Sequence, residues 1–439
     1  MASLRPAIVA GFLLSGAGLA ALAGVVAPAS AAAPASAAAP APKAAEVLKT
    51  YGDIAHAMYE DSLTSAKSLQ AAVAAFLADP TLAKLNAARA AWKTARVPYA
   101  QTEGYRFGNA IVDAWEGEVN SWPLDEGLID YVAASYGTSS DENPLYTLNI
   151  IAKKQIRVGS KQIDASVIDK KLLKQLQQAQ GVKQNVATGY HAIEFLLWGQ
   201  DLHGTGPGAG ERPATDYDLK ACTHGNCDRR AQYLKTAVDL LVEDLTVMTA
   251  DWTPDGAARK ELAAKGEAGG LGTILTGIGS LSYGELAGER MKLGLILHDP
   301  EEEQDCFSDN THNSHYYDEL GMTEIWRGAY TRPDGSVVKG ASLHDYATAK
   351  NADAAGRMDA RMADALGKIK LIKDTADSGK FAYDQMIAKD NPAGNKLVQD
   401  AIDALIAQTR ADEGVVAALG VKISLGRSNS LDNPNGLAR

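Results

Sequence analysis

The sequence predicts an all-α fold, in which two helical-bundle domains carry one small inserted β-hairpin. Hydrophobic residues make up 46% of the 439 positions, enough for a large core, and only 6% of the residues are aromatic. Ala, Leu, Lys, Gln and Glu are plentiful in long runs without Pro, and such runs favour helix over sheet. Strand patterns are scarce, whereas apolar residues recur at spacings of three and four, which is typical of helices.

The N-terminal half begins with two predicted helices. Apolar residues between Glu46 and Ala78 follow one helical stripe, and the dipeptide Asp79-Pro80 is expected to stop this helix. A second helical segment starts at Thr81 and meets Pro98, which we expect to end or kink it.

The C-terminal half repeats the pattern. Residues 232–248 carry apolar side chains spaced by three and four, as in the seam of a bundle. Another apolar stripe follows residues 398–406, and Gly420 is predicted to end that last helix. Between these segments, Pro-Asp-Gly at 333–335 is a turn signal, which predicts the β-hairpin over residues 329–339.

The domain boundary is placed at the least helix-like stretch inside the fold. Residues 201–230 contain a Gly-rich run and two cysteines, so they are predicted to connect the two domains. The N-terminal domain then spans residues 46–200 and the C-terminal domain spans residues 231–425, followed by a tail at 426–439. Each half has enough long amphipathic segments for a four-helix bundle.

The first 31 residues are predicted to be a secretory signal peptide. Arg5 gives a positive start, residues 8–26 are apolar, and Ala-Ser-Ala at 29–31 offers small residues for cleavage. An uncleaved anchor is the alternative, since the apolar run is nearly long enough to span a membrane. Residues 32–45 form an Ala/Pro-rich linker. We therefore expect a periplasmic or secreted chain, free or associated with the envelope, without an integral membrane span after cleavage.

The formal net charge of −11 excludes one class of partner. Nucleic-acid binding needs clustered Lys and Arg to neutralise phosphates, so no nucleic-acid partner is expected. An acidic chain can offer carboxylates to cations, but solubility is the simpler explanation of the charge.

The three cysteines predict one disulfide. Cys222 and Cys227 flank a turn-forming tetrapeptide, so a local disulfide between them is the default in an oxidising compartment. A metal loop that uses His224 is the alternative, although zinc sites usually need four ligands and a second cluster is missing. Cys306 is left over.

The densest candidate site is the run from Gly189 to Gly199. Its apolar content and lack of helix breakers predict a helix, which places His191 and Glu194 at positions i and i+3 on one face. An imidazole nitrogen and a carboxylate oxygen can converge on one cation from there. Gly189 leaves room one turn below for another backbone or a ligand. The spacing differs from the His-Glu-x-x-His pattern of zinc peptidases, and two ligands do not hold a metal firmly.

A third ligand is expected from Glu103. Glu103 and Arg106 are again i and i+3, so Arg106 would orient the carboxylate, with Arg96 nearby in the sequence. A surface ion pair within one helix is the alternative explanation, and on spacing alone it is the simpler one.

Two acidic segments add further candidates. Asp125 and Glu126 begin an acidic stretch that the dipole of a helix N-terminus would stabilise without any ligand. Residues 298–315 mix carboxylates, imidazoles and a thiol, which fits either a metal loop or a solvated acidic loop, and the solvated loop is favoured. Just before this segment, Glu289 and Arg290 are predicted to make a buried polar contact.

At these residues the sequence resembles the imelysin family, within it the iron-regulated protein A branch. The family hallmark Gly-x-His-x-x-Glu is met by Gly189, His191 and Glu194. The resemblance covers most of residues 46–420, and its supporting segments are Tyr99–Phe107, Ser121–Asp130, Cys222–Tyr233, Gly284–Met291 and His298–His315. It implies two helical bundles with a site at their junction, export, and a role in bacterial iron uptake; the family also carries a peptidase label.

Three functions are compatible with these observations. The first is a periplasmic metal-binding protein, in which His191, Glu194 and Glu103 coordinate the ion while Arg106 and Asp125 or Glu126 support them. The ion would be divalent or trivalent, iron first, with zinc or copper as alternatives, and envelope iron-transport proteins would be partners. The second is a metallopeptidase that uses metal-bound water, and the third is an envelope interaction protein without metal.

Overall fold

The chain folds into helices connected by long loops, in a computed structural model that describes residues 41–434. The predicted signal peptide, most of the predicted linker and the last five residues of the tail lie outside the described residues. The helices are α1 (Ala44–Ala78), α2 (Leu82–Ala100), α3 (Ala110–Val119), α4 (Lys170–Leu176), α5 (Gly189–Trp198), α6 (Cys227–Asp251), α7 (Ala257–Ala264), α8 (Gly266–Ser280), α9 (Leu293–Leu297), α10 (Thr311–Arg327), α11 (Leu343–Lys350), α12 (Ala352–Asp377), α13 (Tyr383–Ile387), α14 (Pro392–Leu419) and α15 (Asn429–Asp432). The predicted all-α class is confirmed.

Two groups of helices pack side by side. Helices α1, α2, α5 and α6 contact one another in the first group, and α8, α10, α12 and α14 form the second. A π-type helix, Leu281–Lys292, connects α8 to α9 and packs on α14. The groups meet where α2 contacts α10 and α1 contacts α8. Helix α6 begins at Cys227, inside the predicted connecting loop of residues 201–230, and packs with α1 and α5. The domain boundaries themselves stay a prediction.

Several helix ends follow from the local sequence. Helix α1 ends immediately before Asp79, and the side chain of Thr81 accepts a hydrogen bond from the Lys84 backbone at the start of α2. Gly420 ends α14 in the left-handed conformation, with φ of 65°. One expectation needs correction: Pro98 lies inside α2, which continues to Ala100. A proline removes one hydrogen bond near a helix end, and the last turn tolerates that loss.

The strands form two hairpins. The predicted hairpin is confirmed as β3 (Ala329–Thr331) paired with β4 (Val337–Lys339), antiparallel. A second hairpin, β1 (Gln155–Val158) with β2 (Lys161–Asp164), was not predicted. Its two-residue connection begins with Gly159 at φ 59°, and this Gly-Ser turn was the sequence signal for it.

The predicted apolar seams are buried. In α6, every apolar side chain of the predicted stripe is at most 1% exposed. These residues are Leu234, Val238, Leu241, Leu245 and Met248. Burial of such a continuous face provides most of the stability of a helical bundle. Within residues 41–434, none of the helices has both the length and the apolar character that crossing a bilayer requires.

Candidate metal centre

Helix α5 brings the two predicted ligands into the core. His191 and Glu194 have 0% of their surface exposed. Gly189 begins the helix with φ of 82°, and a Cβ atom at this position would collide with the carbonyl group of Val119. The glycine therefore allows α5 to start against the end of α3, which fixes the depth of His191 two residues further on.

Three side chains converge at this position. His191 Nδ1 lies 3.0 Å from Glu194 Oε2 and 3.9 Å from Asp305 Oδ1. One potential ligand atom from each residue lies within 4.8 Å of the others. The second ring nitrogen of His191, Nε2, is buried without a hydrogen-bond partner. The cluster His191–Glu194–Asp305 is the candidate metal centre.

The carboxylate of Glu194 is oriented from one side. Its Oε1 accepts hydrogen bonds from the Ser308 backbone at 3.0 Å and from the Ser308 hydroxyl at 2.7 Å. These bonds leave Oε2 directed at His191. A ligand whose second oxygen is held in this way is already close to its binding geometry.

Asp305 is held by a buried network. Its Oδ1 accepts a hydrogen bond from Arg96 at 3.0 Å, and its Oδ2 accepts bonds from Asn310 and Ser314. Arg96 is 2% exposed and also donates to Asn120. Arg96 thus lies beside the cluster, where a supporting residue was predicted. It contacts Asp305 rather than Glu103.

Burial and neighbouring charges shift the pKa of each residue in the cluster. Burial and the charge of Asp305 raise the pKa of Glu194 well above its usual range. Burial and the charge of Arg96 lower the pKa of His191 to about 3, so its imidazole is neutral, which is the form that binds metals. Burial alone would raise the pKa of Asp305, but Arg96, His191 and two hydrogen bonds lower it to about 2. One arginine thus faces two carboxylates.

The structure does not bring Glu103 into this cluster, which corrects the expected ligand set. Glu103 Oε2 accepts a hydrogen bond from Arg290 at 2.5 Å, and Oε1 accepts one from Asn120 at 3.2 Å. Arg290 also pairs with Asp318 at 2.8 Å. Both oxygens of Glu103 are therefore engaged, and the third side chain of the cluster is that of Asp305.

The other predicted supporting residues lie apart from the three ligands. Arg106 pairs with Asp113 at 3.1 Å and Glu285 at 3.4 Å rather than orienting Glu103. Arg290 is buried as expected, but Glu289 is exposed and accepts a hydrogen bond from the Ser428 hydroxyl. That bond ties the predicted tail to the π-type helix.

The acidic stretch after Trp122 forms only one helical turn, Glu126–Leu128. Asp125 accepts a hydrogen bond from Asn143, and Glu126 accepts one from Gln200. Neither carboxylate belongs to the three-residue cluster. The expected acidic start of a longer helix was wrong, because the chain bends after this turn.

The segment 298–315 is not the solvated loop that its acidic composition favours. Asp305, Ser308, Asn310 and His315 are at most 1% exposed. The segment is folded between α5 and α10 and supplies Asp305 and Ser308 to the centre. Its mixture of carboxylates, imidazoles and hydroxyl groups was the available signal, and the burial argues against the solvated-loop alternative.

A cleft of about 600 Å³ reaches this region from the surface. Trp122 lines the cleft, and its ring centroid lies 5.1 Å from that of His191. Carboxylates dominate the ionisable side chains of the cleft, which are Asp113, Glu116, Glu285, Glu289, Glu302, Arg106, Lys183 and Arg290. Trp122 thus packs between an acidic cleft and the buried histidine.

None of the cysteines belongs to the cluster His191–Glu194–Asp305. Cys222 and Cys227 are joined in a disulfide with their Cα atoms 5.9 Å apart. His224 Nδ1 lies 2.5 Å from Asp216 Oδ1. Cys306 is a buried free thiol.

Comparison with known proteins places the chain in a family. The family model described as imelysin, a peptidase family by its label, matches residues 55–411. The chain belongs to the imelysin family. The resemblance inferred from Gly189, His191 and Glu194 is thereby confirmed.

Two relatives of this imelysin carry an iron-related name. Iron-regulated protein A of Synechococcus elongatus is 36% identical over 76 residues, which cover 17% of this chain and 21% of that protein. A crystal structure named "putative iron-regulated protein A precursor", from Parabacteroides distasonis, has a TM-score of 0.60 at 17% identity. It covers 87% of this chain and 97% of its own, and this likeness shows the fold.

Proposed function

We propose that this imelysin binds a metal ion, iron first, through His191, Glu194 and Asp305, and acts in iron uptake or delivery outside the cytoplasm. The observation that carries the proposal is the convergence of one neutral imidazole and two buried carboxylates, with donor atoms within 4.8 Å of one another. Burying two carboxylates against a single arginine is unfavourable, and a cation supplies the missing charge.

The donor set fits an ion that accepts both nitrogen and oxygen ligands. Imidazole suits iron, zinc and copper, while carboxylate ligands favour harder ions among them. The names of the two relatives favour iron as the cargo. The acidic cleft beside Trp122 supports entry of a cation, because its carboxylates attract positive charge.

An extracytoplasmic location is part of the proposal. The predicted signal peptide motivates it, and a disulfide such as Cys222–Cys227 persists in oxidising compartments. Envelope iron-transport proteins are the partners that this role requires.

The test measures metal in the mature chain. Wild type, His191→Ala and Asp305→Asn are freed of metal with a chelator, loaded with Fe²⁺, Fe³⁺, Zn²⁺ or Cu²⁺, and analysed by elemental analysis and calorimetry. We expect one tightly bound ion in wild type and a loss of at least about tenfold in affinity in both variants. His56→Ala, which removes a partly exposed histidine beside Glu60 on α1, is the matched control and should bind as wild type does.

Two results would reject the proposal. Wild type that binds no ion under any redox condition leaves an envelope interaction role as the better account. Binding that survives both substitutions places the metal elsewhere. Cleavage of casein by the loaded wild type, lost in Glu194→Gln, would favour the metallopeptidase; we expect no cleavage, because His191 and Glu194 are both 0% exposed and out of reach of a peptide.

A further inference from the structure

A second group of carboxylates lies on the same loop as Asp305. Glu303 and Asp309 flank the loop, and Asp384 approaches from α13. One carboxylate oxygen from each lies within 4.8 Å of the others. Glu303 is 1% exposed and Asp384 is 0% exposed, while Asp309 is half-buried and faces the surface.

Four of the six carboxylate oxygens of this group lack partners. Both carboxylate oxygens of Asp384, Glu303 Oε2 and Asp309 Oδ1 are buried without a hydrogen bond. Among the ion pairs within 4.0 Å in residues 41–434, none involves any of the three. The neighbouring hydroxyl of Tyr383 is also buried and unpartnered. A buried carboxylate normally accepts several hydrogen bonds or faces a cation, so a fully buried aspartate with neither indicates a missing ligand.

We propose that Glu303, Asp309 and Asp384 form a second cation site, which binds a hard multivalent cation such as Ca²⁺ or a trivalent ion through carboxylate oxygens alone. This site is separate from the centre at His191 and does not depend on the function proposed for it. All-oxygen ligands select hard cations over zinc or copper. Mg²⁺ fits less well, because it gives up its water reluctantly and this site is largely buried.

Residues of the loop 303–309 contribute to both sites. Asp305 and Ser308 point to the His191 centre, whereas Glu303 and Asp309 belong to the second group. One short segment therefore supplies ligands to two places, and the donor chemistry differs between them. That difference allows the sites to be told apart by the ion used.

Tb³⁺ is a suitable probe, since it is a hard trivalent ion whose luminescence is excited through nearby tyrosine or tryptophan. The mature, chelator-treated chain is titrated with Tb³⁺, and Ca²⁺ is then added as competitor. We expect saturable luminescence in wild type and an affinity at least about tenfold weaker in Asp384→Asn. His191→Ala should keep Tb³⁺ binding, and the exposed Asp390→Asn is the matched control that should also keep it.

Thermal melting supplies the second readout. Ca²⁺ should raise the melting temperature of wild type and Asp390→Asn but not that of Asp384→Asn. If Asp384→Asn does not fold, Glu303→Gln takes its place with the same expectations. The proposal is overturned if the folded variant binds Tb³⁺ as wild type does. It is also overturned if wild type binds none, or if His191→Ala abolishes the Tb³⁺ signal, since that result leaves a single site.

Discussion

Two buried charged clusters in this imelysin differ in how their charges are balanced. Asp130 is held by Arg230 at 2.6 Å and by Arg212 at 2.8 Å, and Arg212 also reaches Asp216 at 3.2 Å. In this arginine network, two guanidinium groups meet two carboxylates. At the candidate metal centre, one arginine, Arg96, lies beside two carboxylates, and of these two it pairs with Asp305.

The pKa values record the same difference. Burial alone would raise the pKa of Asp130, but Arg212 and Arg230 hold it below its ordinary value of 3.8. Burial and the charge of Asp305 raise the pKa of Glu194 well above its usual range. Buried carboxylates that are all paired with arginines can serve the fold alone. A buried cluster with more carboxylates than arginines is suited to bind a cation.

The largest expected effect comes from breaking the balanced cluster. Arg230→Met removes a side chain that is 1% exposed and bonds both oxygens of Asp130, leaving Asp130 only partly compensated. We expect the free energy of unfolding to fall by about 3–5 kcal/mol. Urea denaturation with and without added metal is the measurement, and the loss should be the same in both conditions.

The control for this substitution is Arg361→Met, on the exposed face of α12. It should change the stability by less than about 0.5 kcal/mol. A loss for Arg230→Met that metal reverses would contradict a purely structural role for the arginine network.

The next effect reaches the metal centre through the backbone. Gly189→Ala places a methyl group against the Val119 carbonyl at φ of 82°, so α5 must shift. We expect a loss of about 2–4 kcal/mol in stability, together with weaker metal binding, because His191 moves with the helix. Gly356→Ala is the matched control: nothing lies within 4 Å of a Cβ there, and alanine should leave or slightly raise the stability. Equal melting temperatures for the two variants would contradict the close packing at Gly189.

A smaller effect is expected on the slope of stability against pH in acid. Since the pKa of Asp130 is lower in the folded state than its ordinary value of 3.8, its contribution to stability is present above that value and is lost as the pH falls below it. Asp130→Asn should therefore be less stable than wild type at neutral pH and should lose less stability between about pH 4 and pH 2. Chelator-treated protein and the exposed Asp390→Asn are the references. Parallel stability curves for wild type and Asp130→Asn would show that this carboxylate is not paired.

The fold was largely predictable because its signals are local. Residues that are close in the sequence determine the apolar stripes of α1, α6 and α14 and the helix end at Gly420. The hairpin β1–β2 was missed although Gly159-Ser160 marks its turn, because only one of its strand residues is fully buried and the apolar alternation is weak. Pro98 shows the reverse error, since a proline near a helix end costs less than one in the middle.

The sequence predicted two of the three residues of the candidate metal centre. His191 and Glu194 share a helix face, so their spacing in the sequence gives their spacing in space. Asp305 comes from a distant loop, and nothing local distinguishes its carboxylate from the exposed ones around it. Glu103 lies outside the cluster, because Arg106 pairs with other acidic residues and Glu103 pairs with Arg290. Burial of the loop 298–315 decides which of its carboxylates joins the cluster. The amino-acid composition of the loop does not reveal that burial.

Removing a carboxylate should change the free energy of unfolding in opposite directions at the two clusters. Glu194→Gln replaces a carboxyl group whose ionised form is costly to bury beside Asp305, keeps an oxygen for Ser308, and offers an amide hydrogen to His191 Nδ1, which lies 3.0 Å from the present oxygen. Without metal, we expect this variant to be more stable than wild type by roughly 1 kcal/mol, whereas Arg230→Met and Asp130→Asn both destabilise.

With saturating metal the order should reverse. An ion at about 100 times its dissociation constant stabilises wild type by about 2.7 kcal/mol, while the variant gains little because it has lost a charged ligand. Melting curves in chelator and in metal should therefore cross for wild type and Glu194→Gln. A variant that is less stable than wild type in chelator would mean that Glu194 serves the fold as Asp130 does. The excess of carboxylates over arginines at this cluster would then not indicate a metal site.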